Sequence, residues 1–514
     1  MKSLIKQTQP IRPPKSHRAG HKRPPNARYV YSLIAFVCLG SFLFGWNQGL
    51  SLMKPANDWS IGFVISIYNI GCAVGAMTIG FLADEYGRER TISLASVVLI
   101  AGALLQAGSH TIAQITVGRL ILGLGIGAYS AAVPLYVSEI CQASVRGNLG
   151  SISMLILCFA EMVVFFIVYG LYFLKSQDWW RIPLAIQVIP ALILAVGCWT
   201  WVPPSPRWLM AQDRYECALE VLTRLHGSEV AEHEMHDIRA SLEGERTTKQ
   251  ASWAGMFCGP ALRVTTLGVV IQFLQQITGT CAIFYYMPQL FKTAGLDGAA
   301  ANMATAGVGV VLFLSAWIPI FTFDKLGRKT WLQLGLIPMF LALMGIAIVQ
   351  RHALRYPNDP ANLSIVVFPY IFYIFFNMTW SPGSWLYVSE IFPISLRAKG
   401  NALCTASLWL SNFIVAQLTP PIVDAIGWGL YVGLAFWCIV AFVFVRYALV
   451  ETRGRSLEEM AQLFGIDDSQ EPDFERQDIE QQDFMPPVGF TAKRAKGQID
   501  QSIKGKFLIN LANR

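Results

Sequence analysis

Apolar residues in this chain come in blocks of about twenty, each bounded by charges or turn residues. Twelve such blocks can be laid out, at 29–51, 60–83, 91–109, 112–137, 149–173, 182–202, 263–290, 300–323, 331–350, 364–388, 400–421 and 428–449. A helix rises about 1.5 Å per residue, so about 20 apolar residues span the hydrocarbon of a bilayer. The pattern predicts an all-α membrane protein with twelve transmembrane helices. Outside the blocks lie a basic arm (1–28), a polar linker (203–262) and a tail (450–514), which leaves six spans in 29–202 and six in 263–449. Mixed charges at helical spacing in the linker (Glu216, Glu220, Arg224; Glu232, Arg239, Glu243) predict short amphipathic helices.

Composition narrows the class. Of 514 residues, 54% are hydrophobic and only 14% charged, against about 25% charged in soluble domains. That excludes an ordinary soluble enzyme. The net charge of +7 is concentrated: eight Lys and Arg crowd residues 1–28 without one acid. Such a segment reads as a disordered cytoplasmic arm obeying the positive-inside rule, not as a nucleic-acid surface. With that arm inside, sixteen Lys and Arg lie on the inner side of the spans and six on the outer, so both termini are expected in the cytoplasm. The tail runs from acidic (Asp467 to Asp483) to basic (Lys493 to Lys506) and reads as disordered. Asn362-Leu363-Ser364 then falls outside as a candidate glycan acceptor.

Most of the ten Cys sit inside apolar runs without metal-ligand spacing, as packing residues do. There is no G-x-x-x-x-G-K-[ST] loop, nucleophile elbow or paired-carboxylate motif. Neither an ATP-driven pump nor an enzyme is expected, and no metal or cofactor.

The chain repeats itself. Tyr136 to Ile140 (YVSEI) recurs letter for letter at Tyr387 to Ile391, and an Arg follows each Glu by seven positions, Arg146 and Arg397. Asp84, Gly87 and Arg88 recur as Asp324, Gly327 and Arg328. Both pairs superpose the first six spans on the last six, the parallel-repeat plan of many secondary transporters.

At these residues the chain resembles the sugar porters of the major facilitator superfamily, from about Phe42 to Phe464. Gly80 through Asp84, Gly87 and Arg88 resemble the superfamily's signature loop. Further likenesses are Gly118-Arg119 through Gly123, Gly127, Pro134 and Glu139 to Arg146-Gly147, Pro203 to Leu209, Gln275-Gln276 with Gly279 and Tyr285-Tyr286, and Glu451 to Glu458. The wording around Tyr68 to Cys72 and Trp380 to Pro393 is nearest to fungal members. The resemblance implies the major facilitator fold, two pseudo-symmetric six-helix bundles in the plasma membrane. It implies a small-molecule solute, a monosaccharide or related polyol, moved by a monomer with the bilayer as its other partner.

Charged residues at inner span ends can pair between neighbouring helices and close that side reversibly. Asp84, Arg88, Glu139 and Arg146, with their copies Asp324, Arg328, Glu390 and Arg397, are assigned to this gate. Arg207 and Glu451, each just past a span, join them. Gln272, Gln275, Gln276 and Gly279 share one helix face. By resemblance Gln275, Gln276, Trp385 and Asn412 contact sugar; Gln272, Asn377 and Trp409 complete the candidate set.

By the same resemblance, three positions that are polar in the family hold Met154, Cys281 and Leu312 here, which points to a less hydroxylated or differently shaped solute. Glu161 lies mid-span on one face with Met154 and Cys158. It either binds solute or titrates during transport, or stays neutral and hydrogen-bonds a neighbouring helix. Arg119 sits about two turns inside its span, where a cation needs a partner or a watery cavity. By resemblance, proton-driven members carry an Asp where this chain has Asn47, and Asn cannot change protonation. Facilitated diffusion is therefore favoured. A symporter using Glu161 and a non-translocating nutrient receptor stand as alternatives, and a channel is disfavoured by the duplicated gate.

Overall fold

The computed structural model describes residues 26–50, 59–141, 146–247 and 253–453, apart from positions 175, 177, 294, 358 and 394, together with 460, 463 and 464. The arm up to residue 25 and the tail beyond 464 lie outside the described residues. Twelve helices are long and apolar enough to cross a membrane: Arg28–Leu50, Gly62–Tyr86, Arg88–Ala107, Ile112–Ile140, Ile152–Tyr172, Arg181–Thr200, Gly259–Thr293, Gly298–Thr322, Arg328–Arg355, Pro360–Ile391, Arg397–Ile426 and Gly429–Tyr447. We refer to these as the first to twelfth spans.

Most spans run past the ends set by hydropathy. The third begins at Arg88 and not at 91, and the ninth covers Arg328–Arg355 where the pattern gives 331–350. A hydropathy window stops at the first charge. The backbone does not, because the unpaired N–H and C=O groups of a helix end are best left beyond the hydrocarbon.

Two spans are broken. The seventh consists of helices Gly259–Ile277 and Thr280–Thr293, joined through Gly279 at φ +111°, a conformation a side chain would strain. The tenth breaks at Thr379 between Val367–Met378 and Trp380–Ile391. Its loosened backbone is covered: the Thr379 hydroxyl donates to the Phe375 carbonyl at 2.6 Å, and the Trp331 indole donates to that of Met378 at 2.8 Å.

Packing follows the sequence repeat. In the first six spans the first packs on the fifth, the second on the fourth, and the third on the fourth and sixth. Each pairing recurs six spans later: seventh on eleventh, eighth on tenth, ninth on tenth and twelfth. Contacts between the halves obey the same pseudo-twofold, since the second span meets the eleventh and the fifth meets the eighth.

Small residues set the closest of these approaches. A Cβ at Gly127 would lie 2.1 Å from the Cys72 carbonyl oxygen and 2.6 Å from its Cα, so the second and fourth spans touch backbone to backbone. Gly80 of the second span has nothing within 4 Å of a Cβ. Gly127→Ala is expected to lower the melting temperature by several degrees. Gly80→Ala is expected to leave it unchanged or raise it slightly, since Gly costs about 1 kcal/mol in a helix interior. Thermal melts of the purified pair check this.

Helices Pro206–Ala211, Tyr215–His226 and Ser228–Thr247 form the linker. They are tied to the first half by the Trp208 indole, which donates to the Asp84 carbonyl at 2.9 Å, and by His226, which sits 3.1 Å from the Ile140 carbonyl and pairs with Glu234.

One expectation is overturned. Asn362 is 1% exposed, and its amide donates to the Tyr356 and Pro357 carbonyls at 2.8 and 3.3 Å while its oxygen meets His352. A glycan acceptor needs an accessible amide nitrogen, and this one is consumed by its own turn.

Candidate functional site

Two groups of residues stand out: charged clamps at the linker end of the spans, and a polar seam where the halves meet.

In the first clamp the Arg88 guanidinium bridges Glu139 at 3.0 Å and Asp84 at 3.1 Å, and donates to the Ala83 carbonyl at 2.9 Å. Ser205, just past the sixth span, donates to the same Glu139 carboxylate. In the second clamp Arg328 forks onto Glu390 at 2.8 and 3.1 Å, and Thr452, just past the twelfth span, donates to Glu390. Glu451 accepts the backbone N–H groups of Arg328 and Lys329 at 2.8 and 3.1 Å, so it caps the ninth span. The hydroxyls of Ser205 and Thr452 occupy equivalent places in the two halves. Their only sequence signal is position, a Ser or Thr a few residues beyond a sixth span.

These ion pairs join helices of one half and do not cross to the other. Arg397 is half-buried and donates to the Phe392 carbonyl at 3.4 Å. Arg207 is half-buried at the first turn of the linker. The side chains of Arg146 and Asp324 lie outside the described residues.

A direct polar contact between halves lies at the far end of the spans. The Ser66 hydroxyl donates to Gln417 Oε1 at 2.8 Å, buried. Ser66 is eighteen residues, about 27 Å of helix, from Asp84.

Between these levels lies the seam. Trp409 and Trp385 of the second half pack into the core of the first, and the Trp409 ring lies 5.4 Å from Phe44 and 6.2 Å from Tyr68. Asn412 accepts from the Tyr285 hydroxyl at 3.0 Å, and Gln276 accepts from the Cys281 thiol at 2.6 Å. Gln275 donates to the Trp380 carbonyl at 3.2 Å, but its Oε1 is buried without a partner among the described residues. Both amide atoms of Gln272 and the Trp409 indole N–H are likewise buried and unpartnered.

Sequence reasoning missed two members of this group, Asn69 of the second span, both of whose amide atoms are buried and unpartnered, and the Ser384 hydroxyl. Asn69 stands in an apolar run, where a lone Asn reads as an interhelical tie. Buried polar groups are nearly always satisfied. Five side chains with unpaired donors or acceptors among the described residues thus lie on mutually packed helices.

Asn377 is differently placed. Its amide donates to the Leu312 carbonyl at 2.7 Å and the Ser315 hydroxyl at 3.0 Å and touches Cys158, tying the tenth span to the eighth and fifth. Glu161 is 4% exposed with no hydrogen bond or ion pair among the described residues, and lies near Cys158 and Tyr373. Arg119 is half-buried and lines a small cavity with Asn47, whose amide donates to the Leu43 carbonyl at 2.8 Å.

Twelve spans in two superposable halves, with a polar seam between them and mirrored clamps at one end, define a secondary transporter of the major facilitator type. The chain belongs to the sugar (and other) transporter family, whose model matches residues 53–464. It is a transporter and not an enzyme. Among its relatives, the glucose transporter GlcP of Staphylococcus epidermidis is 33% identical over 84% of this chain and 96% of its own length. The galactose transporter of Saccharomyces cerevisiae is 30% identical over 86% of this chain and 82% of its own. The solved structure of the proton:xylose symporter XylE with 6-bromo-6-deoxy-D-glucose is 26% identical. It aligns over 85% of this chain and all of that one, with a TM-score of 0.71.

Proposed function

We propose that the protein carries a monosaccharide or related polyol across the plasma membrane by alternating access and facilitated diffusion, with both termini cytoplasmic. The observation that carries this reading is the set of buried, unpartnered groups at the seam: Asn69, Gln272, Gln275, Ser384 and Trp409. Amides and hydroxyls that accept and donate, beside an indole face, suit a ring of hydroxyls with one apolar face. Relatives named as glucose and galactose transporters support the same class. Met154, Cys281 and Leu312 remove polar partners from this region, which favours a solute with fewer hydroxyls to satisfy. The two clamps hold the inner ends of each half together, so that each half moves as a rigid body about the seam. Asn47 cannot titrate, and this favours diffusion down a gradient.

Glu161 sustains a second reading, proton symport, because an acid buried at this depth without a partner is costly unless neutral or functional. Counterflow of labelled sugars in proteoliposomes, with and without a pH gradient, separates the readings. Exchange of a hexose or pentose indifferent to the gradient, in wild type and in Glu161→Gln alike, is expected for facilitated diffusion. Accumulation driven by the gradient and lost in Glu161→Gln would establish symport. Binding without exchange would make the protein a receptor.

A further inference from the structure

The two halves cap their clamp helices from different places. Each clamp Arg opens its span behind a glycine in the same positive-φ turn, Gly87 at φ +94° and Gly327 at φ +80°. A glycine has no side chain to accept the first backbone N–H groups of the helix, so an acceptor must come from elsewhere. In the second half Glu451 supplies it. Its carboxylate also covers the glycine, since a Cβ at Gly327 would lie 2.8 Å from Glu451 Oε2.

Packing fixes which residue of the first half corresponds to Glu451. The Tyr136 hydroxyl donates to the Pro203 carbonyl at 2.7 Å, and its repeat copy Tyr387 accepts from the Val450 N–H at 3.2 Å. Two residues further on, Ser205 and Thr452 donate to Glu139 and Glu390. Between these contacts Glu451 is matched by Pro204, which has no acceptor on its side chain. A carboxylate is present there all the same. Both Glu89 carboxylate oxygens lie 3.0 Å from where a Gly87 Cβ would be. Glu89 is 5% exposed, and its hydrogen-bond donor is its own backbone N–H. That group is the counterpart of the Lys329 N–H which Glu451 accepts. The third span has this acid in its first turn, and the ninth has none.

We propose that Glu89 is a positioning residue of the first clamp. From within the third span it supplies the capping carboxylate that the ninth span takes from Glu451, so that Glu89 with Pro204 replaces the combination of Lys329 with Glu451. The positive end of the helix dipole favours an acid at this point, and the capped turn is the one from which Arg88 reaches Glu139. The start of the third span is therefore held by its own residues, whereas that of the ninth depends on the segment after the twelfth span. This asymmetry is independent of which solute is carried.

The test is amide hydrogen exchange of the purified full-length protein at the starts of the third and ninth spans, with a thermal melt of each variant. Glu89→Lys gives the first half the residue of the second without its carboxylate. Exchange at residues 88–91 is expected to quicken by about fivefold or more, and the melting temperature to fall by about 2 °C or more, while residues 328–331 exchange as before. Adding Pro204→Glu rebuilds the arrangement of the second half and should restore both quantities. Pro204→Glu alone should bring no gain, because its place is taken. Glu89→Gln keeps an acceptor oxygen and should retain part of the protection, which gives a readout even where Glu89→Lys does not fold. Glu451→Ala should quicken exchange at 328–331 and leave 88–91 as in the wild type. Unchanged exchange at 88–91 in both Glu89 variants would overturn the proposal. So would a Pro204→Glu that fails to restore Glu89→Lys, or that stabilises it no more than it stabilises the wild type, because the two positions would then be uncoupled. No sugar enters these measurements, so the proposal and the transport reading fail separately.

Discussion

Replacing Arg88 with methionine is expected to cost about 3–5 kcal/mol of stability, enough to deplete the folded protein. The Arg88 and Glu139 side chains are 10% and 5% exposed, and the guanidinium touches the carboxylate at 3.0 Å. Removing the cation leaves Glu139 with Ser205 and no counter-charge among the described residues, in a site water barely reaches. Arg88→Met with Glu139→Gln removes both charges, and the double variant is expected to regain most of the lost stability. Arg328→Met should cost less than its counterpart, because Glu390 is 25% exposed and water can solvate it. Melting curves of the three variants decide the matter. If Arg88→Met melts with the wild type, the clamp is ornamental and the rigid-half picture loses its support.

The second expectation has opposite signs for stability and function. Gln272→Leu should leave the melting temperature unchanged or higher, while reducing sugar exchange by about tenfold or more. Both amide atoms of Gln272 are buried without partners, so the folded protein without solute gains little from them. Leu fills a similar volume with no polar group to desolvate. If the amide serves a sugar hydroxyl, its loss removes about 1–1.5 kcal/mol of binding, and an unpaired hydroxyl on the solute side adds to the deficit. A purely structural Gln would show the reverse, a lower melting temperature with exchange per folded molecule intact. Asn69→Leu should behave like Gln272→Leu, since its amide is in the same condition. Gln417→Leu offers a contrast: its Oε1 accepts from Ser66 across the halves, so its loss should alter the balance between conformations and not the affinity of the seam.

The mirrored hydroxyls of Ser205 and Thr452 show how the two halves keep equivalent geometry after the sequences have diverged. Each lies just beyond the last span of its half and donates to the Glu that ends the fourth span of that half. The residues differ, and no shared motif surrounds them. What persists is a donor at that point in space, because a buried carboxylate held by one Arg still has lone pairs to satisfy.

The number of spans, their order and their twofold repetition were legible in the sequence. Crossing a membrane demands about twenty apolar residues per helix, and that demand is written locally. The charged repeat was legible too, since Asp84, Arg88 and Glu139 return almost unchanged as Asp324, Arg328 and Glu390. Tertiary structure alone decided which polar residues are spoken for. Asn362 and Asn377 look as available in the sequence as Gln272, yet the first two spend their amides on neighbouring carbonyls while Gln272 and Asn69 spend none. It likewise decided that the described ion pairs run within each half, and that the small cavity Arg119 lines has no acid among its lining residues. Hydropathy is a property of a segment and can be summed along the chain. Hydrogen-bond satisfaction depends on partners up to hundreds of residues away, so it exists only once the helices have packed.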